Sequence, residues 1–146
     1  MRTPASIKGH PIHAILVALP VGLLLFSFIS DLLFMADLGG GDWAVVARCT
    51  LAAGIVTALL AAIPGLVDYL SLSGRARRIA TYHLLLNLTV IGVFVAGFLL
   101  RLRTDPYDRV PVVLSAVGIA FLGVSGWLGG ELVYRHGVGV DTRPEP

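Results

Sequence analysis

The stretch HAILVALPVGLLLFSFISDLLFM, residues 13–35, decides the fold. Its ionisable groups are His13 at the start and Asp31 near the end. A helix needs about 20 apolar residues to cross a bilayer, and this stretch supplies them. Three more follow, at residues 45–67, 79–100 and 112–133. The connecting segments are short, which makes neighbouring helices antiparallel. The expected fold is all-α: an integral membrane, antiparallel four-helix bundle in up-down-up-down order. It forms one domain over residues 1–146, with a short polar tail at 137–146.

Composition agrees. Of 146 residues, 56% are hydrophobic and 14% charged, against about 25% charged in soluble domains. The mean hydropathy is +0.86. A net charge of +2 gives no basis for a nucleic-acid partner, whereas the lipid bilayer is an obligatory one. Cys49, the single cysteine, has no intrachain partner. The first apolar run is too long for a signal-peptide core and is read as a retained helix.

The loops carry stop signals. Residues 36–42 are Gly-rich, 69–78 are basic, and Asp105-Pro106 and Pro111 end one helix and begin the next. Arg2, Lys8, Arg75, Arg77, Arg78, Arg135 and Arg143 fall on one side. Arg48, Arg101, Arg103 and Arg109 fall on the other. The positive-inside rule then places both termini in the cytoplasm. Tyr69, Tyr82 and Tyr134 mark that interface, and Trp43 and Tyr107 the outer one.

Polar and small residues recur at helical spacing and are expected to face the bundle interior. The stripes are His13, Pro20, Ser27 and Asp31; Thr50, Thr57, Pro64 and Asp68; His83, Asn87, Val90, Phe94 and Gly97; and Ser115, Leu122, Gly129 and His136, with Gly118 and Ser125 alongside. Gly126 and Gly130 form a GxxxG pair that lets helices approach. Pro20 and Pro64 are expected to kink their helices. Asp31 lies about 27 Å from His13 along the first helix, at the outer end, where it is expected to be solvated.

Depth brings His10, His13, Asp68, His83, Glu131 and His136 to the cytoplasmic end. Ionisable residues beside apolar spans are functional candidates by default. In one reading His13 and His83 ligate one b-type haem, and Asp68 and Asn87 orient them by hydrogen bonds. Lys8, Arg75, Arg77, Arg78 and Arg135 would face its propionates. No helix has a second histidine deeper, so a two-haem relay is excluded. In another, His10, His13, Asp68, His83 and His136, with or without Glu131, hold a transition metal, Zn, Fe or Mn. Pro11 then lies in the first helical turn. In a third the groups are structural. His10 caps the first helix, His83 bonds Asp68 or Tyr82, Asp68 pairs with Arg77 or Arg78, His136 is solvated, and Glu131 pairs with Arg135. No serine or cysteine nucleophile, phosphate loop or inverted repeat accompanies them.

The motifs His10-Pro11-Ile12-His13 with Pro20 and Asp31, Gly65-Leu66-Val67-Asp68-Tyr69 before a basic loop, and His83 with Asn87 come first along the chain. Residues 129–140, GGELVYRHGVGV, close it. Together they resemble the bacterial membrane family catalogued as domain of unknown function 2231, over roughly residues 7–140. The resemblance implies a four-helix membrane domain of the bacterial inner membrane. It also implies an electron-transfer setting, because similar domains occur fused to Rieske-type iron–sulfur or cytochrome-like modules. A separate redox partner of that kind, or a homo-oligomer, is the expected company. Glu131 stands where similar sequences often have histidine, which weakens the metal reading. The alternative to a redox module is a non-catalytic membrane scaffold or partner subunit.

Overall fold

The computed structural model describes residues 3–140; Arg2, Arg143 and the tail from residue 141 lie outside the described residues. The elements are β1 (Ser6–Ile7), β2 (His10–Pro11), α1 (Ile12–Leu16), α2 (Ala18–Met35), α3 (Asp42–Ser71), α4 (Gly74–Arg101) and α5 (Arg109–Tyr134). Four stretches are long and apolar enough to cross a membrane: Ile12–Met35, Asp42–Ser71, Gly74–Arg101 and Arg109–Tyr134. They extend the expected spans at most ends. The basic segment 69–78 is mostly helix termini, with Leu72 and Ser73 alone between α3 and α4.

Pro20 explains why α1 and α2 are separate. It has no N–H for the carbonyl four residues back, that of Leu16, where α1 ends. The flanking bonds Val17 N–H to His13 O (3.0 Å) and Val21 N–H to Val17 O (3.2 Å) survive, so the two pieces form one span. Pro64, by contrast, lies inside an unbroken α3.

The helices pack as two close pairs, α2 on α3 and α4 on α5, with slighter seams between the pairs. Leu24, Leu51, Val90 and Phe94 make the dry centre. Large apolar side chains such as Leu19, Val56, Leu88 and Val113 face outward, as lipid contact requires. The α2, α4 and α5 stripes turn inward as expected: Pro20 and Ser27, Val90, Phe94 and Gly97, and Ser115, Gly118 and Ser125 are buried, while His13, His83, Asn87, Leu122, Gly129 and His136 are half-buried.

The face of α3 differs. Ala47, Leu51, Gly54, Ala61 and Asp68 are buried. Thr50 and Thr57 lie beside that stripe and return their hydroxyls to their own helix, at Val46 O (2.7 Å) and Ala53 O (2.8 Å). The interior contact is Gly54, where a Cβ would lie 2.7 Å from Leu24 Cδ2. Gly54→Ala is therefore expected to destabilise the bundle by about 1–3 kcal/mol, read as a shifted unfolding midpoint in mixed micelles. The Gly126–Gly130 pair does not bring helices of this chain together: nothing lies within 4 Å of a Cβ at Gly126.

Asp31 is 4% exposed, not solvated. Arg101 forks onto it, with Nη1 on Oδ1 and Nη2 on Oδ2 at 2.6 Å. Nη2 also donates to Ser115 Oγ at 3.0 Å. This lock joins α2, α4 and α5 at the end of the bundle opposite the histidines. Ser27 Oγ donates to Ala47 O (2.8 Å) and ties α2 to α3.

Candidate functional site

The histidine end is closed by two small devices. Lys8 (φ 49°) and Gly9 (φ 83°) form the two-residue turn of the β1–β2 hairpin, a turn in which both central residues take left-handed backbone. After α5, Gly137 N–H bonds Val133 O and Val138 N–H bonds Leu132 O, both at 3.0 Å, with Gly137 at φ 62°. These bonds, reaching back four and six residues around a left-handed glycine, stop the helix, and Val138 packs on the Leu72, Ala80 and Leu132 cluster. A Cβ at Gly139 would stand 3.1 Å from Pro11, so the two closures touch.

Beneath them sit the two histidines. His13 Nδ1 bonds Ala61 O of α3 at 2.8 Å. His83 Nδ1 bonds Ser125 O of α5 at 2.9 Å and lies 3.2 Å from Ser125 Oγ. Since a carbonyl only accepts, both rings carry their proton on Nδ1. The ring centroids are 6.3 Å apart, with planes at 84°. Asn87 Nδ2 lies 3.1 Å from His83 Nε2 and donates to His83 O at 2.8 Å.

Glycines make the seats. A Cβ at Gly65 would fall 2.7 Å from His13 Nδ1, and one at Gly129 would fall 3.3 Å from His83 Cε1. Replacing Gly65 with Ala is expected to push the His13 ring off the Ala61 carbonyl. Loss of that bond is worth about 0.6 kcal/mol, up to about 1.7. An altered His13 nitrogen shift in an NMR spectrum would register the displacement.

The other candidates lie elsewhere. Asp68 Oδ1 accepts the Ala5 N–H at 2.8 Å, which fastens the segment before β1 to α3. It does not pair with His83, Arg77 or Arg78. His10 is exposed on β2, with Nδ1 3.1 Å from Lys8 O, and Pro11 is the residue that precedes α1, without a side-chain cap. Arg77 stacks its guanidinium 4.8 Å from the Tyr69 ring centroid and donates to Leu72 O. Lys8, Arg75, Arg78 and Arg135 are exposed. Glu131 and Arg135 approach to 3.5 Å, as their spacing predicts. His136 is half-buried beyond the end of α5. Among the described residues no three His, Cys, Asp or Glu side chains converge as a metal site. The five-residue metal set is therefore not assembled, and what remains is a pair.

The Ala61 carbonyl and Gly65 escape a reading based on polar side chains. The signal for them was the proximity of both to Pro64 in one turn of α3. No curated protein and no solved structure matches the chain. The family model described as "Predicted membrane protein (DUF2231)" matches residues 9–142. With nearly the whole length covered, the chain belongs to this family of predicted membrane proteins.

Proposed function

We propose that the chain is a membrane redox module in which His13 and His83 ligate one haem iron through Nε2. The observation that carries this reading is the pair itself. Each imidazole is held through Nδ1 by a backbone carbonyl of a neighbouring helix, the partner that metal-bound histidines ordinarily have. The two ring centroids are 6.3 Å apart. A pair would also hold a haem better than a non-haem ion, which draws three or four protein ligands. Asn87 would give up His83 Nε2 while keeping its bond to His83 O. The bound haem would supply one-electron transfer.

The second reading is that both histidines are interhelical ties of a scaffold subunit. It is favoured by His83, whose two ring nitrogens both have protein partners. An absorption spectrum of protein expressed with haem supplied separates the two. The redox reading expects a Soret band at one haem per chain, abolished by His13→Ala or His83→Ala and retained in His136→Ala. A folded sample with no Soret band overturns it. Under the tie reading each alanine variant loses about 0.6 kcal/mol of stability, up to about 1.7, and nothing else.

A further inference from the structure

At the end opposite the histidines, all four spans border a cavity of about 380 Å³. That is within the ~300–1,000 Å³ of small-molecule sites. It needs no cofactor at the histidine pair and stands independently of that reading. Its lining combines three kinds of group. The Phe34 and Tyr107 rings, 4.7 Å apart and tilted by 32°, supply an apolar wall. Arg101 and Arg48 supply cationic donors. Asp105 and Asp108 supply anionic acceptors.

The hydrogen-bonding inventory shows what remains for a ligand. Both oxygens of Asp31 are engaged by Arg101. Arg101 Nε is buried and has no hydrogen-bond partner among the described residues. Arg48 is exposed on α3 and has no ion-pair partner among the described residues. Arg101 Nε is closed to a ligand, so Arg48 is the free donor at the cavity, and it asks for an oxyanion. Asp105 accepts the Tyr107 N–H (2.8 Å) and Asp108 the Val110 N–H (2.9 Å), each through Oδ1 alone. Their remaining oxygens oppose a plain anion and welcome an ammonium.

From this we infer that the cavity binds a zwitterionic head group, an oxyanion a few atoms from a primary ammonium. The oxyanion lies at Arg48, and the ammonium lies at Asp105 and Asp108. The cavity is at the ends of membrane spans, hence at head-group level whichever way the bundle points. A phosphatidylethanolamine presents this chemistry from the bilayer, and free phosphoethanolamine presents it from water.

The test is titration of the full chain in detergent, followed by native mass spectrometry. The probes are phosphatidylethanolamine, phosphatidylcholine, phosphatidylglycerol and free phosphoethanolamine. One saturable phosphatidylethanolamine per chain is expected, preferred about tenfold over phosphatidylglycerol and lost about tenfold in Arg48→Ala. Saturation by phosphoethanolamine with no saturable binding of any lipid supports the same site with a soluble ligand. The double variant Asp105→Asn/Asp108→Asn keeps both turn hydrogen bonds and is expected to erase discrimination between ethanolamine and choline heads. Saturation by neither probe, equal binding to Arg48→Ala, or equal binding of phosphatidylglycerol overturns the inference. An unchanged helical circular dichroism signal verifies that each variant is folded.

Discussion

Asp31→Ala is expected to destabilise the protein by about 3–5 kcal/mol, the largest effect of any single polar substitution in this chain. The side chains of Arg101 and Asp31 are 12% and 5% exposed, so removal of the carboxylate strands a guanidinium away from water. Ser115 Oγ and the distant Pro111 O (3.5 Å) are dipoles and do not replace a counter-charge. The penalty is the uncompensated charge, not the net worth of the pair. The double replacement Asp31→Leu/Arg101→Met is therefore expected to recover most of the loss, because apolar volume in place of a buried pair is often neutral or stabilising. Denaturant unfolding in mixed micelles, run as a double-mutant cycle, measures both. A cost for Asp31→Ala below about 1 kcal/mol, as for an exposed pair, would sink the argument.

Phe94→Ala carries the second large effect, about 3 kcal/mol. That is the low end for burying an aromatic ring, since lipid tails remove the water-transfer part and leave the cavity and the lost dispersion contacts. Phe94 is 2% exposed among Leu24, Leu51 and Val90. The tip of its ring abuts Gly118, where a Cβ would stand 2.7 Å from Cζ. Gly118→Ala alone is expected to cost about 1–3 kcal/mol by overpacking. In the Phe94→Ala background the same methyl enters vacated space and restores part of the stability. The sign change in the coupling identifies ring-on-glycine contact as the cause. Additive losses would contradict it.

Much of this architecture was legible in the chain. The apolar runs and their stops define four spans because the bilayer thickness is a hard length standard. Heptad-like polar spacing correctly marked the interior of α2, α4 and α5. It misplaced the face of α3 because a threonine hydroxyl satisfies itself on its own helix and needs no neighbour, so Thr50 and Thr57 were poor markers. Small residues, Ala47, Gly54 and Ala61, were the better ones. Depth sorting brought His13 and His83 to one level. It could not show that their partners are carbonyls, since every residue has one and the sequence does not say which is reachable. The hairpin before α1 was illegible for a simpler reason: strands of two residues have no periodicity. Asp31 and Arg101 were both assigned to one end, but the pair was hidden by the expectation that a carboxylate near an interface is wet.

The lock between Asp31 and Arg101 also bears on how the protein is made. His13 ties α1 to α3 and His83 ties α4 to α5, so each histidine finds its carbonyl within its own helical pair. Asp31 is different, for its counter-ion lies 70 residues downstream. At ribosomal speeds of about 5–20 residues per second, that is a wait on the order of ten seconds. During it the first helices have reached the translocon and the carboxylate lacks the arginine that it pairs with in the finished bundle. The nascent chain must keep Asp31 at the head groups, protonated, or in the care of the insertion machinery until α4 arrives. The same bond that secures the finished bundle thus sets the most exposed moment of its biosynthesis.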